Sequence, residues 1–289
     1  MIWAPENEVL LRRGWWTGER WEQRAHLHPV DDRAEEALLD RIESMVSVER
    51  DTTLLASLLY GPEGNAITLA QARELSMGDR ELLLLLLRRR MFGSVMQSVL
   101  NCPSCNERLD LDLKVDDLIV ESSIAHQVLY EEEIEVEGAR FQVTFHLPTG
   151  GDVEKVLRSA DAGLWGAAKA LARECVHSVA GIGDSGSPHE MTQKDWPDAL
   201  FREVSARIEQ LDPQAEIELQ SKCPACGYEF RQSVDPGGYL VHELAARQLA
   251  KYQEVHQLAR AYHWSEAEIL GMGSRKRQIY LDLLAADYE

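Results

Sequence analysis

Cys102-Pro103-Ser104-Cys105 and Cys223-Pro224-Ala225-Cys226 decide how this chain is read. Each dithiol turn sits between strand-like runs. Ser98-Val99-Leu100 and Leu109-Asp110-Leu111-Asp112-Leu113 flank the first, and Ile217-Glu218-Leu219 and Phe230-Arg231-Gln232-Ser233-Val234 flank the second. A C-P-x-C turn aims two thiolates at one point, and two such turns complete the tetrahedron that structural zinc prefers. Cys102, Cys105, Cys223 and Cys226 are therefore the expected ligands of one structural Zn2+. A thioredoxin-like redox pair would sit at a strand-to-helix junction, whereas both of these turns lie between strands.

Working outward, the period changes on both sides of this module. The fold class expected is α+β: β-hairpins forming a split zinc-ribbon-like module, with helical N-terminal and C-terminal segments. The division expected is 1–95 as N-terminal hairpin and helices, and 96–120 plus 214–240 as the split zinc module. Residues 121–213 form an inserted hairpin-plus-helices unit, and 241–289 a C-terminal helical arm. Closing the zinc site would clamp both ends of the insertion.

Within the first segment, Val9-Leu10-Leu11 leads to Trp15-Trp16, Thr17-Gly18-Glu19 turns, and Trp21 to Val30 returns, with Ala25 and Leu27 alternating against His26 and His28. Trp3, Trp15, Trp16 and Trp21 either pack this hairpin on the core or form a docking arm. From Asp31 to Tyr60 the pattern is helical, with Ala34, Leu38, Ile42 and Met45 on one face. Ile67 to Leu75 reads as a short helix. Ser76 and Asp79 then resemble a capping box opening a helix through Arg90, whose Leu82–Leu87 run covers every side and predicts burial all round.

In the insertion, Ile134 and Val136 face Phe141, Val143 and Phe145 across an expected Glu137-Gly138 turn. Leu164, Ala168, Leu171, Cys175 and Val179 fall at helical spacing, so Cys175 reads as a core residue and not a nucleophile. On a helix His177 would point away from it. Gly181 to Ser187 reads as a loop, and Leu200, Val204, Ile208 and Leu211 stripe a helix after Pro197. From Tyr239 the chain reads as helical, with Leu244, Leu249, Tyr252, Val255, Ala259 and Tyr262 on one face. Ser265 and Glu268 form a capping box with Trp264 and Ile269 as a staple, and Arg275-Lys276-Arg277 opens a last helix as a solvated or acid-bound face.

Charge and motifs narrow the function. Lys plus Arg number 30 against 49 Asp plus Glu, a formal charge of −19, so nucleic acid is not an expected partner. No apolar run reaches the roughly 20 residues that span a bilayer, and Met1–Glu6 does not read as a signal peptide, so cytoplasmic assembly without a membrane is expected. There is no H-E-x-x-H, G-x-S-x-G or Walker motif, and four cysteines would leave zinc no open position. His26 and His28 could share a strand face but lack a third partner. No enzyme, catalytic residue, cofactor-binding residue or small-molecule substrate is expected. The alternatives kept open are a zinc-thiolate redox-sensing regulator and, more remotely, a metallohydrolase.

The run Leu75-Ser76-Met77-Gly78-Asp79-Arg80-Glu81, the leucines after it, Arg88-Arg89 and Phe92-Gly93, and then the first C-P-x-C resemble the T-even phage baseplate hub protein family. Cys223-Pro224-Ala225-Cys226-Gly227, Asp235-Pro236, Leu258 to Leu270 and Arg275 to Leu281 are similar too. A proline-containing turn is expected where this chain has Gly271-Met272-Gly273. The resemblance implies a non-enzymatic baseplate component or hub assembly factor of a contractile phage tail or phage-tail-like injection system. Its partners would be other baseplate or hub proteins, through a docking role for the helices around Trp264.

Overall fold

The computed structural model describes residues 8–28, 32–120, 127–159, 164–182 and 188–286. The helix Met77–Phe92 (α4, named in chain order) is its spine. Leu83, Leu84, Leu85 and Leu87 have no exposed surface and cover more than half of the helix circumference, while Leu82 and Leu86 on the remaining face are half-buried, so burial is nearly but not fully all round. Ser76 caps its start by accepting from the Asp79 N–H at 3.2 Å.

One side of α4 meets an antiparallel sheet of β1 (Glu8–Trp16), β2 (Trp21–Leu27) and β3 (Leu59–Tyr60). The helices α1 (Asp32–Ile42), α2 (Ser47–Leu58) and α3 (Leu69–Glu74) complete this core with the start of the long helix α8 (Pro236–Tyr262). The expected 31–60 helix is in fact two helices and a strand. Glu43 to Val46 interrupt it, and Leu59 and Tyr60 extend to pair with Leu27 and His26. The buried face of α1 is also turned: Ala34 is exposed and Glu35 is buried, because Glu35 takes Arg247 of α8. His26 is buried as well, breaking the expected alternation with Ala25 and Leu27. The short helix expected at Ile67–Leu75 is α3, opened by a Thr68–Gln71 capping box.

A second core lies under a four-stranded antiparallel sheet, β6 (Tyr130–Val136), β7 (Ala139–Phe145), β8 (Val176–Ile182) and β9 (Pro188–Glu190). Glu137 and Gly138 both have positive φ, 52° and 81°, as a two-residue hairpin turn requires. Helices α6 (Leu164–Cys175) and α7 (Asp198–Leu211) cover the sheet, and Leu200, Val204 and Ile208 are buried as expected. Val176–Ile182 is a strand where a helix through Val179 was expected. The β7–β8 register shifts at Thr144/Phe145 and leaves His177 unpaired, so the buried Val176 and Val179 fall three apart and imitate helical spacing. Helix α5 (Gly150–Ser159) packs against α2 and α3, where Glu154 accepts from Thr52 at 2.9 Å and Arg73 at 2.8 Å.

A third, smaller core joins Leu85 of α4 to Met96 of β4 (Val95–Asn101), to Val115 and Leu118 of the 3₁₀ turn after β5 (Arg108–Lys114), and to Ile217. It seats the two hairpins, β4–β5 and β10–β11 (Glu218–Lys222, Glu229–Ser233).

Helix α8 begins at Pro236, three residues earlier than expected, because Pro fits a first helical turn and Asp235 caps it through the Gly238 N–H at 2.8 Å. At 27 residues it is about 40 Å long and outruns the core, so Leu249 and Tyr252, expected on its buried face, are exposed. The Ser265–Glu268 capping box opens α9 (Glu266–Leu270) as expected. Trp264 stacks on Tyr262 at 4.5 Å and meets Tyr280 of α10 (Ser274–Ala286) edge-on. Of the three cations opening α10, Arg277 is buried and bound to Glu254 at 2.9 Å, while Arg275 and Lys276 are exposed. Ile279 and Leu283 are also exposed.

Candidate metal centre

The two dithiol turns have one backbone geometry. The Cys102 N–H donates to the Glu107 carbonyl and the Cys223 N–H to that of Tyr228, both at 2.9 Å. Asn106 and Gly227 donate back to Cys102 and Cys223 at 2.8 and 2.9 Å. Both residues after the second cysteine have positive φ, 60° and 75°, a conformation that asparagine and glycine tolerate. In the first turn the N–H groups of Ser104, Cys105 and Glu107 are thereby curled around the sulfurs.

The fold brings the two turns together. Cys102 Sγ lies 3.7 Å from Cys226 Sγ, and Cys105 Sγ lies 3.6 Å from Cys223 Sγ. All four sulfurs are within 4.8 Å of one another. A disulfide needs about 2.05 Å, so these are separate thiols. Four sulfurs about 2.3 Å from a shared tetrahedral ion would stand about 3.8 Å apart, so the donor set and the spacing both fit a metal ion. Cys102 and Cys223 are buried, and Cys105 and Cys226 are exposed.

The electrostatics point the same way. Desolvation opposes ionisation of Cys102, but the N–H groups of Cys105 and Ser104 outweigh it and bring the thiol down to about 7. The Glu107 N–H favours a second thiolate at Cys105, yet the sulfurs of Cys226, Cys223 and Cys102 crowd it up to about 12.

Cys175 stands apart from this cluster and is fully buried. Its thiol is pushed well up by desolvation and by the charge of Asp152, which agrees with the core reading. His177 is not bonded to Cys175, but it lies on a strand and not on the expected helix. The β8 bulge turns it onto His146, with His146 Nδ1 to His177 Nε2 at 2.9 Å. His146 Nε2 meets Asp152 Oδ2 at 2.9 Å, and that oxygen also accepts from the Thr149 N–H and hydroxyl. His146, Asp152 and Cys175 have metal-ligand types within reach of one another. Thr149 and His146 already satisfy the carboxylate, however, so the group is explained as a cap on α5. Its legible sign in the sequence was Thr149-x-x-Asp152.

A second node lies at the start of α4, where only a helix cap was expected. The Asp79 carboxylate accepts the N–H groups of Arg12, Arg13 and Gly14 at 2.6, 2.8 and 2.9 Å. Asp212 accepts from the Gly78 N–H at 2.9 Å and from Arg12 at 3.3 Å. A Cβ on Gly78 would stand 1.9 Å from that carboxylate, so this position needs glycine. Arg80, fully buried, donates to the carbonyls of Val48 and Ala72.

Glu81, next to Arg80, is pushed up to about 8 by desolvation first and then by Asp51 and Asp235, against Arg80 and Arg50. A carboxyl raised in the folded state contributes fully below its unfolded value near 4.5, and that contribution is lost as pH rises through about 8. Glu81→Gln is therefore expected to gain on the order of 4 kcal/mol over the native chain at pH 9 and almost nothing at pH 4, read by urea denaturation at both pH values. An equal effect at both would exclude this assignment.

On the tryptophan hairpin, Trp15 is buried, Trp16 is 40% exposed, and Arg13 lies over the Trp21 ring at 5.3 Å. Trp3 lies outside the described residues. Among the described residues no helix is long and apolar enough to cross a membrane. The family model described as T4 bacteriophage base plate protein matches residues 64–236, more than half of the chain, from before α3 to the first residue of α8. No curated protein and no solved structure matches.

Proposed function

The chain belongs to the T4 bacteriophage base plate protein family, and from that premise we propose that it is a non-enzymatic component or hub assembly factor of a contractile tail baseplate, in a phage or a phage-tail-like injection system. The observation that carries the reading is the extent of the match. It spans α4 with Gly78, Asp79 and Asp212, and both C-P-x-C turns.

On this reading Cys102, Cys105, Cys223 and Cys226 hold one structural Zn2+, which fixes residues 96–120 against 214–240 and so clamps both ends of the 121–213 insertion. Four thiolates would close the coordination sphere, leaving no position for a reacting water. The metal's work is mechanical. Partners are other baseplate or hub proteins, met during assembly in the cytoplasm, with no part for nucleic acid, membrane or small-molecule substrate. The formal charge of −19 favours partner surfaces with basic patches.

Reduced protein purified without chelator is expected to carry about one zinc per chain, and its cobalt-substituted form to give the charge-transfer bands of an all-thiolate tetrahedral site. Metal analysis that finds none would remove the clamp. Exposure of Cys105 and Cys226 favours one other reading, a redox regulator that releases zinc on oxidation. For that regulator, mild peroxide would change partner binding while the remainder stays folded; for the clamp, binding changes only with loss of structure.

A further inference from the structure

The two zinc-site hairpins leave strand edges open, and the ladder itself shows which backbone groups face outward. In β4–β5 the partners sum to one register, from Val95↔Lys114 to Asn101↔Arg108. Bonds at both ends, Val115 N–H to the Ser94 carbonyl and Cys102 N–H to that of Glu107, fix its phase. Hydrogen-bonded pairs alternate with non-bonded ones, so Met96, Ser98 and Leu100 face β5, and the N–H and C=O of Val95, Gln97 and Val99 face away. The same phasing applies to β10–β11, where Val234 N–H to the Ile217 carbonyl and Cys223 N–H to that of Tyr228 leave Arg231 and Ser233 facing outward.

Gln97 and Val99 of the β4 edge and Ser233 of the β11 edge line one groove of about 470 Å3, floored by Leu113, Leu219 and Val234 above the third core. Two side chains already bond to backbone there. The Tyr239 hydroxyl donates to the Gln97 carbonyl at 2.9 Å, and the Gln232 amide donates to that of Ser233 at 3.3 Å. Val99 is 53% exposed beside them. The Gln97 N–H and the Val99 N–H and carbonyl on the β4 wall, with the Ser233 N–H opposite, fit an extended polypeptide, which can run along β4 and still reach the donor across the groove. A second copy's β4 or β11 is tied into its own hairpin, so it could meet one edge but not enter between two.

Charge narrows the occupant further. Asp235 in the lining is drawn towards Arg50 at 3.3 Å, although Arg50 is shared with Asp51 at 2.8 Å, and the lining beside Leu113 and Leu219 carries no other carboxylate and no Lys or Arg. We infer that this groove receives an extended, free segment of a neighbouring baseplate chain, uncharged where it faces Leu113 and Leu219, as an added strand between β4 and β11. Four residues of β4 line the groove, about 13 Å of strand. The inference rests on the baseplate reading.

Val99→Pro tests it, because proline at an outward position removes an edge N–H without breaking the β4–β5 ladder. Val95→Pro is the control, outward on the same strand but outside the groove. In cells that produce the tail, deleting the chain should abolish tails. Resupplying V99P should then give at least tenfold fewer complete tails than the native chain, and V95P about as many. V99P should keep its zinc and melting temperature. Normal assembly with V99P, or an equal loss with V95P, would overturn the added strand and leave the baseplate reading intact; tails that form without the chain would overturn both. Should V99P misfold, hydrogen exchange on the native chain decides: the Val99 and Ser233 amides should slow at least tenfold in tails relative to the isolated chain, and unchanged exchange would overturn the inference.

Discussion

Cys102→Ser is expected to take the zinc content well below one per chain and to lower the melting temperature by about 10 °C or more. Cys102 is 1% exposed, and its sulfur lies 3.7 Å from that of Cys226, so a serine there removes one of four thiolates and leaves a hydroxyl among three sulfurs. Structural zinc in small peptides contributes roughly 10–16 kcal/mol in apparent terms, comparable with the whole stability of a domain. Loss of even about 6 kcal/mol would shift the transition by about 10 °C for a chain of this size. The effect should be local in origin. Each hairpin has only two strands, too few to be stable alone, and the small core beneath them rests on Met96, Val115, Leu118 and Ile217. Cys175→Ala is the matched control: its zinc content should equal that of the native chain, and its cost should be the about 1–2 kcal/mol of a small buried cavity. Equal melting temperatures for Cys102→Ser and the native chain would leave the sulfur cluster without a structural role.

The sulfur cluster was legible because spacing alone encodes it. A C-P-x-C turn has few other uses between strands, and its geometry is local, from the cysteine N–H bonds to the positive φ of Asn106 and Gly227. Burial of most of the run Leu82–Leu87 was legible for the same reason, although Leu82 and Leu86 are only half-buried. What failed was period read across a tertiary decision. Val176 and Val179 are three apart because β8 bulges at His177, and no residue near them announces the bulge. Leu59 and Tyr60 leave the helix because β2 offers an edge, and that edge is set some 30 positions earlier. Glu35 is buried, against the pattern of α1, because Arg247 of α8 reaches it. In each case a partner distant in sequence outweighed the local preference.

Asp79→Ala is expected to cost about 3–5 kcal/mol in chemical denaturation, more than any other single carboxylate substitution in the N-terminal half. The reason lies in the opposite hairpin. The β1–β2 register jumps between Leu10↔Arg24 and Trp15↔Glu22, so Leu11 to Gly14 face only Gln23 and leave the ladder. Their N–H groups need acceptors, and the Asp79 carboxylate takes three of them. Gly14 makes the bend possible: its φ is 72°, and a Cβ there would stand 1.9 Å from the Glu22 carbonyl. Asp79 has no exposed surface, so alanine would leave buried donors without partners, at about 1–3 kcal/mol each, offset in part where water enters. Asp79→Asn keeps one acceptor oxygen and should fall between alanine and the native chain. A second readout separates this account from simple loss of packing. The Asp212 carboxyl is pushed up to about 6 by desolvation first, and the charge of Asp79 adds to the shift against the Gly78 N–H and Arg12. In Asp79→Asn its titration should therefore move towards lower pH, whereas a packing defect that admitted no charge effect would leave it unmoved. Such a result would make Asp79, and not the cap formed by Ser76, the reason an acid follows Met77-Gly78 at the head of the central helix.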